Sequence, residues 1–288
     1  MFQGKRVYIV GGSKGIGKAA AIQLARQGAS VAIGARGRAE LDATLAELRS
    51  AGKGTMVAVQ VDVTDTASVN RAAADAIAGL GGIDVLVCCS GYAECDALLD
   101  MDEERIRRVM DTNYMGHVRN IKAVGPHLVK QKSGHICLVT SMAAITGFWG
   151  YGPYGASKAA IVQMAEALRQ EMKEHGVGVT VFLPPTTDTP GLVQENLHKP
   201  DVLYVVESES TFNQTHPPDV IARHMLDGIA RSQFLKIATM DSWIQYVIVR
   251  KLTGLYHYLA DGELQTGRKK VADRKAKGLD PKTGQPVG

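Results

Sequence analysis

Arg6-Val-Tyr-Ile-Val10-Gly11-Gly-Ser13-Lys14-Gly15-Ile16-Gly17 joins a β-rich apolar run to a glycine turn. The residues behind it, Lys18 to Gln27, read as a helix. Glycines let backbone approach a pyrophosphate closely. A helix N-terminus adds free N–H groups and the positive end of its dipole. The spacing here is Gly-x-x-x-Gly-x-Gly. A glycine triplet alone says little. After the first strand of an alternating chain it marks a phosphate-binding turn.

The alternation continues outward from this turn. Strands are predicted at Ser30–Ala35, Thr55–Val61, Ile83–Cys89, His135–Thr140, Val177–Leu183 and Phe234–Thr239. Helices are predicted at Ala39–Arg49, after the third strand through Ala78, at Glu103–Lys130, around Tyr154 and at Pro218–Ala230. In the first of these, Leu41, Leu45 and Leu48 share one face. Continuous apolar strands alternating with amphipathic helices predict a parallel sheet covered on both faces. There is no internal repeat, and no linker before about residue 260.

In such a sheet ligands bind beyond the carboxyl ends of the strands. Strand one ends in Gly11, Ser13, Lys14, Gly15, Ile16 and Gly17. Strand two ends in Ala35-Arg36. An acidic residue there would accept the ribose 2′-hydroxyl of NAD. Arg36 and Lys14 instead place two cations where a 2′-phosphate would lie, which favours NADPH/NADP+. The plainer alternative is a pair of surface cations. Asp62-Val63 follow strand three at the expected adenine edge, and Ser90-Gly91 follow strand four. Asn113 lies in the long helix. Ser141 closes strand five, thirteen residues before Tyr154.

Tyr151-Gly-Pro-Tyr154-Gly-Ala-Ser-Lys158 reads as a helix start, with Pro153 suited to the first turn. Tyr154 and Lys158 are four apart and share a helix face. A phenol titrates near ~10, and a neighbouring cation lowers that value. A phenol so tuned passes a proton to a carbonyl oxygen. Tyr151, two turns from Lys158, is the weaker candidate. The Ser141 hydroxyl can donate to the same carbonyl.

The 288 residues have the apolar fraction and modest charge of a globular protein with a sizeable core. Net charge is +4, yet residues 268–288 alone carry +5, so the body is near −1. Cys88, Cys89, Cys95 and Cys137 show no C-x-x-C or zinc spacing, so free thiols in a reducing compartment and no metal are expected. There is no secretory signal, and no apolar run reaches the ~20 residues of a membrane-spanning helix.

Jointly these residues resemble the short-chain dehydrogenase/reductase family, from residue 5 to about 240. The resemblance implies an α/β fold: a doubly wound, Rossmann-type sheet of seven parallel strands with helices on both faces, in a domain spanning 1–240. It implies an NADP-dependent oxidoreductase with Tyr154 as acid/base. Lys158 would bind the nicotinamide ribose, Ser141 would orient the carbonyl, and Asn113 would hold a water in a proton relay. Where the family usually has Asn-Asn-Ala-Gly after strand four, this chain has Cys88-Cys89-Ser90-Gly91. The backbone role carries over, and the asparagine side-chain contacts do not.

After strand six comes Leu183-Pro184-Pro-Thr-Thr187-Asp188-Thr189-Pro-Gly191. In the family this segment covers the nicotinamide, which brings in Pro184, Thr187 and Thr189. With Glu195-Asn196 and Lys199-Pro200, it is similar to one branch, the 3-ketodihydrosphingosine reductases. That resemblance implies a long-chain keto-lipid substrate, no nucleic-acid partner, and a homo-oligomer, dimer or tetramer. Phe148 and Trp149 are expected on the alkyl tail, or as lid or subunit-contact residues. Asp188 and Glu94 are the acidic residues put forward for the substrate ammonium. The alternatives are other carbonyl substrates (3-oxoacyl thioesters, steroids, sugars) and a non-catalytic NADP-binding protein.

Residues 241–262 form an amphipathic helical extension, and 263–288 a basic, flexible tail. Arg250 and Lys251 interrupt the apolar pattern, so the extension should not span a bilayer. It packs on its own domain or a second subunit, or lies at a membrane surface. The location expected is cytoplasmic, with the cytoplasmic face of a membrane as the second possibility.

Overall fold

The computed structural model describes residues 1–210 and 214–286. Seven strands pair in parallel: β1 (Arg6–Val10), β2 (Ser30–Ala35), β3 (Met56–Gln60), β4 (Val85–Cys88), β5 (Gly134–Val139), β6 (Val177–Leu183) and β7 (Leu235–Ile237). Their order is β3-β2-β1-β4-β5-β6-β7. The chain winds outward through β2 and β3, crosses back to β4, and winds the other way. A crevice opens at such a switch point, at the carboxyl ends of β1 and β4.

Register explains why the strands are apolar on both sides. Tyr8 lies beside Ala32 and Leu86, and Leu86 beside Ile136. This row packs under α3 (Thr66–Leu80), α5 (Gly116–Gln131) and α6 (Gly152–Lys173). One residue on, Ile9 lies beside Ile33 and Val87, and Val87 beside Cys137. That row packs under α1 (Gly15–Arg26), α2 (Arg38–Ala51) and α9 (Pro218–Ala230). Each fully buried Ile, Leu or Val contributes roughly 1.5–3 kcal/mol relative to exposure. Side chains cap the helices of the first face. Asp65 accepts from the N–H of Ala67 at the start of α3. Asp102 accepts from that of Arg105 in α4 (Glu103–Met110).

Three features differ from the sequence expectation. The long helix predicted from Glu103 is interrupted by a π turn, Asp111–Met115, between α4 and α5. The segment after β6, predicted without regular structure, holds α7 (Pro190–His198) and α8 (Asp201–Glu209). Finally, the extension is a pair, α10 (Met240–Lys251) and α11 (Thr253–Ala276). Residues 263–276, expected as a flexible tail, therefore continue α11. They pack on α8: Val271 is buried, Lys270 and Arg274 pair with Glu209, and Lys275 reaches Asp201 at 2.9 Å. The acidic partners lie some sixty residues earlier in the chain, so the charge run looked unpaired. Among the described residues no helix is long and apolar enough to cross a membrane.

Candidate active site

The glycine turn is built by backbone meeting backbone. Gly11 has φ +87, and a Cβ there would lie 2.7 Å from the Ser90 nitrogen. A Cβ on Gly17 would lie 2.2 Å from the Gly11 carbonyl oxygen. Only glycine lets β1, the turn and β4 close up in this way. The turn forms one wall of a cleft of about 1120 Å³. Ser13, Lys14, Gly15, Ile16, Arg36, Asp62, Val63, Ser90 and Gly91 line it, with Ser141, Phe148, Tyr154, Lys158, Pro184, Thr187 and Thr189.

Four expected residues stand outside this lining. Gly17 underlies the turn, and Asn113 is fully buried beneath the cleft floor. Asp188 is exposed. Trp149 faces away, its ring 6.0 Å from the Arg268 guanidinium, so only Phe148 of that pair reaches the cleft.

The cradle fits a dinucleotide. Bare glycine backbone at the N-terminus of α1 suits phosphate oxygens. The Ser90 hydroxyl is buried with no hydrogen-bond partner among the described residues, a donor available to a bound group. Thr189 caps α7, accepting from the Leu192 N–H, and its side chain stands 3.0 Å from where a Gly15 Cβ would be. At the outer end, the Thr64 hydroxyl and N–H donate to Asp62 at 2.7 and 2.9 Å and hold its carboxyl below the usual range. Arg36 is exposed at the same edge. Lys14 is not free: its ammonium pairs with Glu40 at 3.0 Å. Glu40 lies on α2 and went unremarked in the sequence. Its four-residue offset from Arg36 gives no hint that it meets Lys14.

At the inner end, α6 carries Tyr154 and Lys158 on one face. The π turn aims Asn113 at them from below. Both amide hydrogens of Asn113 are used: Nδ2 donates to the Tyr92 carbonyl at 2.9 Å and to Ser157 Oγ at 3.0 Å. Ser157 in turn donates to the Tyr154 carbonyl at 2.7 Å. Asn113 Oδ1 accepts from the Tyr92 N–H at 3.0 Å, so three bonds of this side chain go to the protein, and Asn113 positions α6. Gly91 keeps this corner open. A Cβ there would meet the Lys158 ammonium at 2.9 Å and the Asn113 Oδ1 at 3.0 Å.

The electrostatics correct one expectation. Lys158 was expected to make the Tyr154 phenol more acidic. Instead burial pushes the phenol up, opposed by its hydrogen bond with Ser141 and reinforced by Glu195 and Glu207. Lys158 Nζ lies 5.8 Å from the ring centroid and within 3.5 Å of the Val139 carbonyl. Burial pulls its own pKa down to about 8. In a desolvated corner, loss of water outweighs one cation at that distance. His117, buried beside this corner, is pulled to about 3 by burial and by the Lys158 charge, so it is neutral. Tyr151 is excluded as the acid. Its single hydroxyl proton lies between the carboxylates of Glu195 and, at 3.0 Å, Glu207.

Residues 5–200 match the sequence profile of the family described as short chain dehydrogenase. Among curated proteins, the chain is 34% identical to a 3-ketodihydrosphingosine reductase of Bos taurus, over 84% of this chain and 73% of that one. It is 36% identical to the protein of that name from Mus musculus, with the same coverage. Among solved structures, it is similar to a short-chain type dehydrogenase/reductase from Mycobacterium marinum. That match has a TM-score of 0.73 and 28% identity, covering 82% of this chain and 94% of that one. The fold, the crevice at the switch point and these likenesses agree on a nicotinamide dinucleotide cofactor. This chain belongs to the short-chain dehydrogenase family, and it is an oxidoreductase.

Proposed function

We propose that this chain reduces the ketone of 3-oxosphinganine to the alcohol sphinganine, with NADPH as reductant. The observation that carries the reading is the convergence of Ser141, Tyr154 and Lys158 in one cleft, in a chain whose curated relatives are named for that reaction. The cofactor supplies the hydride when bound, and the rest of the chemistry falls to the chain's own side chains. Ser141 and Tyr154 offer donors to a ketone oxygen, stabilising negative charge as it develops there. Burial keeps the Tyr154 phenol fully protonated at neutral pH. That is the form a reduction needs, since the phenol gives its proton to the forming alkoxide. Lys158 supplies positive charge at the inner end and restores the phenol's proton through the Asn113 corner.

Two cations at the outer edge support NADPH over NADH. Arg36 is free to meet a 2′-phosphate, and Lys14 can leave Glu40 for a stronger anion. The exposed apolar side chains of the extension, among them Trp243, Ile244, Leu252, Leu255 and Tyr258, support contact with a membrane surface, where a long-chain substrate resides. The deciding experiment is turnover of 3-oxosphinganine by the purified chain with NADPH and with NADH. Reduction that is faster with NADPH is expected. Inactivity on this ketone, alongside activity on a 3-oxoacyl thioester or a steroid, would overturn the substrate assignment.

A further inference from the structure

Glu207 stands in the wall shared by the catalytic cleft and a second, apolar pocket. We propose that these two spaces seat the substrate together, its ammonium against Glu207 and Glu195 and the start of its alkyl chain in the pocket under the C-terminal helices. The proposal rests on the substrate reading above.

In 3-oxosphinganine the amine sits on the carbon next to the ketone. Whatever meets the ammonium must therefore line the cleft close to Ser141 and Tyr154. The cleft has five carboxylates among the described residues. Asp62 and Glu40 belong to the outer, cofactor end. Glu94 is held by Arg105, which donates to it at 2.5 Å and to Asp96 at 2.9 Å, and it is not among the charges acting on the Tyr154 phenol, whereas Glu195 and Glu207 are. Asp188, the other residue put forward from the sequence, is outside the cleft. Glu195 and Glu207 remain.

Their setting suits a cation. Lys199, its side chain 2% exposed, pairs with Glu195 at 2.8 Å and with Glu207. The Tyr151 hydroxyl shares its one proton between the two carboxylates, and its ring packs 5.6 Å from that of Tyr154. Two carboxylates facing one ammonium leave an excess of one negative charge in a half-buried wall. Burial pushes the Glu207 carboxyl up in spite of Lys199. A second ammonium would relieve that cost, and a neutral ketone would not.

The apolar pocket opens on the far side of Glu207, between α8, α10 and α11. Phe148, Val206, Ile248, Tyr256 and Leu259 line it. Phe148, Glu207 and Gln245 face both spaces, so a chain leaving the catalytic end past Glu207 enters apolar surroundings at once. The Tyr256 hydroxyl donates to the Gly147 carbonyl at 2.8 Å and ties the Phe148 loop to α11. The pocket, about 40 Å³, has room only for the first carbons of the chain; beyond it lie the exposed Ile244, Leu255 and Leu259 of the extension, over which the rest would run.

The test uses two ketones of equal chain length, 3-oxosphinganine and the same 1-hydroxy-3-ketone lacking the amine. In Glu207→Gln, kcat/KM for the amino ketone should fall roughly 10- to 100-fold, mostly through KM, as for loss of a charge-assisted hydrogen bond. The amine-free ketone should change by less than about twofold. Equal losses on both ketones, or no loss on either, would overturn the ammonium assignment. Thermal melting and titration with NADPH report whether the fold is intact. If Glu207→Gln does not fold, Glu195→Gln reads the same ratio. Ile248→Asp tests the pocket. It should weaken a long-chain ketone and spare a short-chain one, and an equal effect on both overturns the tail placement. Wild-type protein inactive on 3-oxosphinganine would remove the substrate reading itself. Activity with unmoved ratios removes only this proposal.

Discussion

Tyr151 and Tyr154 pack as tilted rings with centroids 5.6 Å apart at the start of one helix, yet their hydroxyls meet opposite company. Tyr151 shares its proton between two carboxylates, and Tyr154 meets Ser141 at the inner end of the cleft. The two phenylalanine variants should therefore diverge. Tyr154→Phe should lower kcat by about 10²–10⁴-fold while NADPH titration by nicotinamide fluorescence is unchanged. Tyr151→Phe should retain turnover but lose about 1–3 kcal/mol of stability, because the half-buried Glu195–Glu207 pair loses a donor. Near-normal reduction by Tyr154→Phe would show that the acid lies elsewhere.

Gly91→Ala tests the crowded corner. The new methyl would press on the far end of Lys158, a flexible chain that can yield. The melting temperature should drop little and kcat should drop strongly, since the ammonium moves. Gly17→Ala should do the reverse and fail to fold well, because its methyl meets the rigid Gly11 carbonyl at 2.2 Å.

The buried lysine makes stability depend on pH. Lys158 titrates at about 8 in the folded chain against an ordinary value of 10.5. Between these values the unfolded chain binds more protons, so stability must rise with pH across that window. Below it, the full penalty of burying the charge is present, on the order of 3 kcal/mol. Lys158→Met should remove the rise. Denaturant midpoints of both proteins from pH 7 to 10.5, with parallel curves throughout, would refute the depressed value.

Cofactor choice should respond to the outer edge. Arg36→Ala should raise KM for NADPH roughly tenfold and leave NADH nearly unchanged. Glu40→Gln should shift preference further toward NADPH, because it frees Lys14. A matched change for both cofactors would count against a 2′-phosphate at this edge.

Membrane contact is read by vesicle co-sedimentation. Wild-type chain should bind vesicles containing anionic lipid, and Trp243→Ser with Leu255→Ser should weaken that binding without altering turnover of a soluble short ketone. No sedimentation of the wild type would leave those side chains to another role.

Strands, cover helices and most of the cleft lining were legible because each rests on a local pattern. Apolar runs gave β1 to β7, glycine spacing gave the phosphate turn, and a four-residue offset gave Tyr154 and Lys158. Three particulars were not legible. Glu40 meets Lys14 across twenty-six residues, Lys199 meets Glu207 only once α7 and α8 have folded back, and Lys270 finds Glu209 sixty-one residues away. No periodicity encodes pairs that meet only where the folded chain turns back on itself.

From its sequence alone, the chain's family, its layered sheet and the residues grouped at the catalytic end follow, since backbone turns and helix faces are set by neighbours in the chain. Tertiary structure alone decided which tyrosine hydroxyl is tied to carboxylates, what sign the Tyr154 shift takes, and which carboxylates line the cleft. Those depend on water excluded and charges gathered from distant segments, and both quantities exist only in the folded molecule.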